Sequence, residues 1–472
     1  MIAASQFTPS NYAWAKAFSH SATEFGPSVL PIITGEIPQG LRGSFYRNGP
    51  GCLERGQERI YHWFDGDGAI LAVHFTDEGA TGIYRYVQTQ AYQAEEKAAK
   101  FFFGSYGRTP KGSIWNQLTL PVKNNANSGV LALDDCLLAL WEAGAPYALN
   151  PKTLETLGLD KRLGLKEDDP YSTHPKQDPE SGDIYNFGVR FGPKGSLMLY
   201  RSDATGKIQQ KGQVSLDGLP LIHDFVLTKN YLIFFIPPVR LNLFPFLAKQ
   251  KSFSDCLAWQ PKKGMQILVI DRQKFTVVSQ GITEPWFQWR FGNAYEDQDG
   301  TVVIDILRYD DFRINQFLQE VCHGNPQTPP IGSLWQMRLD PKTAKLLAQQ
   351  KLVSESCEYP TFAPHLLGKP CRYTYLSLIE EKFPKTIGCF DQQTGILTKA
   401  DLGMNCYPVS PIYAPDKNDR EKGWILTEVF DGEQVKSEVW IFDALALEKG
   451  PVCRLALPKV VPFGFHGTWK AA

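Results

Sequence analysis

Short runs rich in Val, Ile, Tyr, Phe and Thr follow one another almost from end to end of the chain, separated by Gly, Asp, Asn and Pro. Such runs, punctuated by turn residues, mark half-buried strands. GSFYRNGPG, YHWFDGDGAILAVHF, TGIYRYVQTQAY, DIYNFGVRF, TVVIDILRY, LWQMRLDP, CRYTYLSLI and SEVWIFDAL all read this way, and LDPKTAK and FDQQTGIL read as turns of outer-strand hairpins. Helical periodicity is confined to Ala91 to Phe103 and Arg313 to Val321, both in insertions between strands. No repeat of fixed length is visible. The pattern predicts an all-β chain closed on itself, with its loops gathered on one face. The even strand spacing favours a propeller over a sandwich.

One insertion stands apart. Leu241 to Phe253, LNLFPFLAKQKSF, joins Leu, Phe and Pro to lysines directly after an apolar run broken by Pro237-Pro238. It reads as a loop covering a core, or as an apolar patch that touches a membrane surface with its lysines at headgroup level. Phe101 to Phe103, followed by Arg108 and Lys111, extends the second reading. Composition narrows the partners. The 472 residues carry a formal net charge of -1, so nothing draws the protein to nucleic acid. Nine scattered cysteines without a CxxC pair point to free thiols in a reducing compartment. The N-terminal stretch has no secretory pattern and no window is long enough to span a bilayer, so the expectation is a cytoplasmic protein.

The chemistry rests on few residues. Of eight histidines, His62 reads as a core or turn residue, and His323 and His365 as solvated. His174 precedes Pro175 in stiff, extended chain; His223 ends the apolar LPLI; His466 sits between glycines in GFHGTW. Each alone reads as an ordinary satisfied histidine. No HExxH, GxSxG, Walker or complete GxGxxG motif is present, and the GDG of FDGDGAI is a weak phosphate loop. In WFQWRFGNAYED, Arg290 lies between Trp289 and Phe291, either stacked on a ring at the surface or buried with a dedicated partner.

The order of motifs resembles the carotenoid cleavage oxygenases, relatives of the retinal pigment epithelium isomerase. GSFYRNGP, HWFDGDG, KNNANS, LWEAGAPYALNPKTLETLG, STHPKQDPESGDIYNFG, HDFVLTKNYLIFFIPP, FGNAYED, CEYP, GKPCRYTY, SEVWIFDA and GFHGTW carry the resemblance in sequence order across nearly the whole chain. It implies a seven-bladed β-propeller with a loop and short-helix dome over one face, as one domain spanning residues 1–472. It further implies Fe(II) on the propeller axis, cleavage of a polyene double bond by dioxygen, and an apolar tunnel rising from a membrane-facing patch. Three ligand positions carry over to His174, His223 and His466. Two of the glutamates that orient such ligands carry over to Glu142 and Glu358.

The chain departs from that pattern at two positions near the metal. Arg290 stands where the remaining histidine is expected, and Ser410 where a third glutamate is expected; Ser128 replaces a threonine. Guanidinium has no lone pair to donate, and a cation roughly 5 Å from Fe(II) repels it by about 6–7 kcal/mol at an effective dielectric near 20. Arg290 must therefore turn to a carboxylate, with Glu358 the prime candidate, or occupy the metal's place.

The sequence thus supports an Fe2+-dependent dioxygenase acting on a carotenoid or apocarotenoid. Its partners are an apolar polyene, dioxygen, and a membrane surface touched through Leu241 to Phe253. Trp141, Phe225, Trp289 and Phe291 are candidates for the tunnel lining, with propeller core as the alternative for each. A metal-free carotenoid or retinoid binder on the same scaffold is the second reading. A glycan-processing propeller using Asp65, Asp67 and Glu296 is the third.

Overall fold

Seven antiparallel sheets are arranged as the blades of a β-propeller. The computed structural model describes residues 11–111, 122–192 and 194–472; the first ten residues of the stretch examined for a secretory pattern lie outside them. Blades 2 to 6 are each one continuous stretch, with innermost strands Gly129–Ala132, Lys176–Gln177, Val226–Leu227, Phe291–Glu296 and Cys357–Thr361. Blades 1 and 7 are built from both ends of the chain. Gly467–Ala471 pairs with Gly43–Cys52 as the inner strand of blade 1, and Ile32–Gly35 pairs with Pro451–Ala456 as the outer strand of blade 7. These two distant pairings close the ring and leave no open sheet edge between its ends.

The hydrophobic pattern follows strand position. The outer strand Ile208–Ser215 alternates between half-buried and exposed positions, whereas the inner part of Tyr231–Ile236 is buried throughout. Inner strands have neighbouring blades on both faces, so alternation vanishes there. The apolar cores lie between adjacent blades: Ile70, Ile83, Val130 and Ala139 pack between blades 1 and 2, and Phe235, Val269, Ile304 and Ile306 between blades 4 and 5. With no repeated spacing in sequence, this inter-blade packing sets the repeat.

Both expected helices form, as Gln90–Ala98 and Ile314–Val321, and a third, Leu243–Leu247, lies in the Pro- and Phe-rich insertion. Two expectations change. Phe101 is 4% exposed and lies against the Arg108 and Arg55 guanidiniums, so it belongs to the core and not to a surface patch. His323 is half-buried rather than solvated, with Nε2 3.2 Å from the Tyr61 carbonyl. His62 is a buried turn residue as expected; its Nδ1 accepts from the Phe64 N–H, and burial lowers its pKa to about 4. All nine cysteines are free.

Candidate metal centre

Four side chains enter the centre from the same position in four blades. His174 and His223 stand just before the inner strands Lys176–Gln177 and Val226–Leu227; Arg290 and His466 immediately precede Phe291–Glu296 and Gly467–Ala471. The propeller therefore brings together residues that are nearly 300 positions apart. One ligand nitrogen from each of His174, His223 and His466 lies within 4.8 Å of the others.

The His174–His223 side is tightly specified. Glu142 Oε1 accepts from His223 Nδ1 at 2.9 Å and from the Thr173 hydroxyl at 2.6 Å. That bond fixes the proton on Nδ1 and leaves the lone pair of His223 Nε2 facing the centre. His174 Nε2 is 3.0 Å away. The Asp224 carboxylate, 4.0 Å from His174 Nδ1, is instead held by Lys176 at 3.0 Å and by the backbone N–H groups of Phe225 and Phe291. His174 is thus positioned by its backbone, through the Ser172 hydroxyl, and by packing against the other two rings at 4.5–4.6 Å.

The opposite side is built around fixed cations. Arg290 donates to Glu358 at 2.6 Å and lies over the Tyr359 ring at 4.2 Å. The sequence anticipated this pairing. It depends on a bulge between Glu358 and Thr361 in the inner strand of blade 6, where Tyr359 adopts a left-handed φ of 56°. The bulge turns both side chains onto the guanidinium. Burial raises the Glu358 pKa and Arg290 opposes that rise. Arg290 Nη2 is 3.4 Å from His466 Nε2. A guanidinium N–H can only donate, so that nitrogen presents a lone pair toward the centre.

Among the described residues, no carboxylate pairs with His466. Its peptide is clamped instead: the N–H bonds to the Ser128 carbonyl and the carbonyl accepts from Asn48. A Cβ on Gly467 would fall 2.3 Å from the Tyr46 carbonyl, which explains the second flanking glycine. Fully buried Arg47 donates to the Ser410 carbonyl at 2.6 Å, the Ser410 hydroxyl at 3.1 Å and the Phe465 carbonyl at 3.3 Å. Behind it, Glu428 is 1% exposed and neither oxygen has a hydrogen-bond partner among the described residues. Burial pushes Glu428 up to about 8 against the pull of Arg47, and burial lowers Arg47 to about 10. Sequence reasoning missed both. The only signal for Arg47 was a charge inside the strand Gly43–Cys52, and Glu428 gave none.

A cavity of about 920 Å³ opens onto this centre, with His223, Arg290 and His466 in its wall. Trp141 and Trp289 line it, as do Phe64, Phe187, Phe246 and Phe253. Phe225 and Phe291 do not. Phe225 stacks on Phe234 in the core between blades 3 and 4, and Phe291 packs against Phe235 between blades 4 and 5. Phe291 follows Arg290 in an extended chain, so its side chain points away from the centre. The three acids of the glycan-processing reading are committed elsewhere. Asp65 caps the N–H groups of His62 and Gly107, Asp67 is paired with Lys123, and Glu296 holds Thr228 and Asn230.

The donor set suits a divalent transition metal. Burial, followed by neighbouring positive charge, holds His174 and His466 well below the ordinary histidine range, so both are neutral donors. Metal–imidazole bonds of roughly 2.1 Å place adjacent ligand nitrogens about 3 Å apart, as found for His174 and His223. Softness of the all-imidazole set is compatible with iron, copper, nickel or zinc.

These features define a seven-bladed propeller with a triad of imidazoles opening into an apolar cavity. The chain belongs to the retinal pigment epithelial membrane protein family, whose model matches residues 18–471. It is 31% identical to the apocarotenoid-15,15'-oxygenase of Synechocystis sp., over 98% of this chain and 97% of that one. It is 28% identical to a carotenoid 9,10(9',10')-cleavage dioxygenase of Arabidopsis thaliana, over 93% and 85%. A cobalt-substituted structure of the Synechocystis oxygenase superposes with a TM-score of 0.87 at 30% identity, covering 98% of each chain.

Proposed function

We propose that this protein is an iron(II)-dependent dioxygenase that cleaves one double bond of a carotenoid or apocarotenoid to carbonyl products. The observation that carries the reading is the convergence of three imidazole nitrogens within 4.8 Å at the wall of a 920 Å³ cavity. His174, His223 and His466 would hold Fe(II), which would supply the redox chemistry that activates dioxygen. Glu142 keeps the His223 lone pair aimed inward. Glu358 draws the Arg290 charge into a neutral pair, which reduces the repulsion that a lone guanidinium would exert on a dication. The aromatic walls thread the substrate and exclude water from it.

The insertion from Leu241 to Phe253 supports delivery from a lipid surface. Phe244 and Leu247 are 75% and 60% exposed, while Phe246 and Phe253 of the same segment line the cavity. Lys249 and Lys251 follow at headgroup level. No helix among the described residues is long and apolar enough to cross a membrane, and free thiols fit a reducing, cytoplasmic setting. Anaerobic loading with Fe(II), metal analysis, and oxygen uptake with a panel of apocarotenoids test the reading. Near-stoichiometric iron with substrate-dependent uptake is expected; protein that retains no iron would sink it.

A second reading has one observation in its favour. The Arg290 N–H lies 3.4 Å from His466 Nε2, where a metal would draw on that lone pair. A metal-free polyene binder would shift the absorbance of a bound apocarotenoid yet consume no oxygen after iron loading.

A further inference from the structure

Behind the wall that carries the histidines lies a second chamber of about 40 Å³. Phe64, Trp289, Arg290 and Phe465 line both it and the large cavity, so they form a partition between the two. The partition is mostly aromatic: Phe64 packs edge-on against Trp289 at 5.8 Å and against Phe465 at 5.2 Å. It is one side chain thick next to the centre. Trp289 meets the His223 ring at 4.8 Å, and Phe465 directly precedes His466. The far wall is Ile314, Phe317 and Leu318 of the helix Ile314–Val321, with Ile379 and Phe383 of blade 6. Among the described residues, Arg290 and Glu358, already paired with each other, are the only charged side chains in the lining.

We propose that this chamber is a binding site for an apolar diatomic gas, dioxygen, which reaches the histidines across the Phe64–Trp289–Phe465 partition. The inference rests on the oxygenase reading and adds the route of the second substrate. The chamber is far too small for a polyene, yet it exceeds the roughly 10–15 Å³ that one water needs by this measure. A rod-like substrate lying in the large cavity would obstruct that approach, which leaves the other side of the centre as the free route for gas. Apolar chambers take up apolar gases such as xenon in preference to water.

Xenon-pressurised crystals of the iron-free protein test the site without reference to activity. Anomalous density between Leu318, Ile379 and the partition is expected. The buried indole N–H groups of Trp63 and Trp289 and the Nε–H of Arg290 have no acceptor among the described residues. Ordered waters bound to them, with no xenon, would overturn the proposal. Filling the chamber with Ile379→Phe should abolish the xenon peak and raise the KM for dioxygen at least fivefold, with the KM for the polyene unchanged. Equal changes in both constants, or in neither, would also overturn it. A xenon peak in wild-type protein that consumes no oxygen with any apocarotenoid would remove the feeding role and the oxygenase reading together, leaving a gas site without a reaction.

Discussion

The two sides of the centre are built on opposite electrostatic principles. On the side formed by blades 2 to 4, Glu142 orients His223, His174 packs beside it, and the nearest cation, Lys176, is neutralised by Asp224. On the side formed by blades 5 to 7 and blade 1, His466 stands with two guanidiniums near it, half-buried Arg290 at hydrogen-bond range and fully buried Arg47 through the Phe465 carbonyl. The first side needs no change to receive a dication. On the second, only Arg290 has a carboxylate at hydrogen-bond range, while Arg47 is held by the Ser410 and Phe465 oxygens. Position on an inner strand therefore defines where a side chain goes, and the residues behind it decide which charge the site tolerates.

The largest test of this contrast is Arg290→Met. It leaves Glu358 buried without its partner, and unfolding in urea at neutral pH should show a loss of about 3 kcal/mol. A smaller loss would mean that the pair is a loose contact and the two sides are more alike than described. Arg290→His removes the cation and adds an imidazole. Competition with a chelator under anaerobic conditions should show iron bound about a hundredfold more tightly, or about 2.7 kcal/mol. Unchanged affinity would mean that three histidines suffice and the charge asymmetry has no consequence for the metal. Glu142→Gln weakens the better side, and metal affinity should fall roughly tenfold, at the low end of the range for such orienting groups.

The smallest effect is a pH dependence. Glu428, raised to about 8 in the folded protein, contributes stability that is present at low pH and is lost as pH rises through that value. Between pH 7 and 9 the wild type should lose about 1 kcal/mol from this group, and Glu428→Gln should lose none of it. His174 and His466 have the opposite sign. Their lowered values make folding weaker below about pH 6.5, where the unfolded chain takes up protons that the folded one refuses. Thermal melts across pH 5 to 9 separate the two contributions, because the histidines are silent above neutrality.

Much of the centre was legible because its residues sit in short motifs of fixed order. His174, His223 and His466 meet as the motifs implied, and the Arg290–Glu358 pair follows from the cost of an unpartnered buried charge. What stayed hidden depends on packing between blades. Arg47 and Glu428 lie far apart in sequence, and nothing in ILTEVFDG distinguishes a glutamate on a buried face from one in solvent. Phe225 and Phe291 fall to the core alternative rather than the tunnel for the same reason: a position beside a candidate ligand does not say on which side of the strand an aromatic ring falls. The strand-rich pattern revealed the all-β class, but the closure of blades 1 and 7 by distant segments has no local signature.

That closure has a consequence for the order of assembly. His466 and the strand Gly467–Ala471 leave the ribosome hundreds of residues after the Gly43–Cys52 strand on which they dock. A nascent chain that has not yet released them offers two imidazoles at most, in a barrel whose last gap is still unsealed. The three imidazoles therefore meet only once Gly467–Ala471 has docked, and a truncation from His466 onward forfeits one of them and the seal of the ring in one stroke.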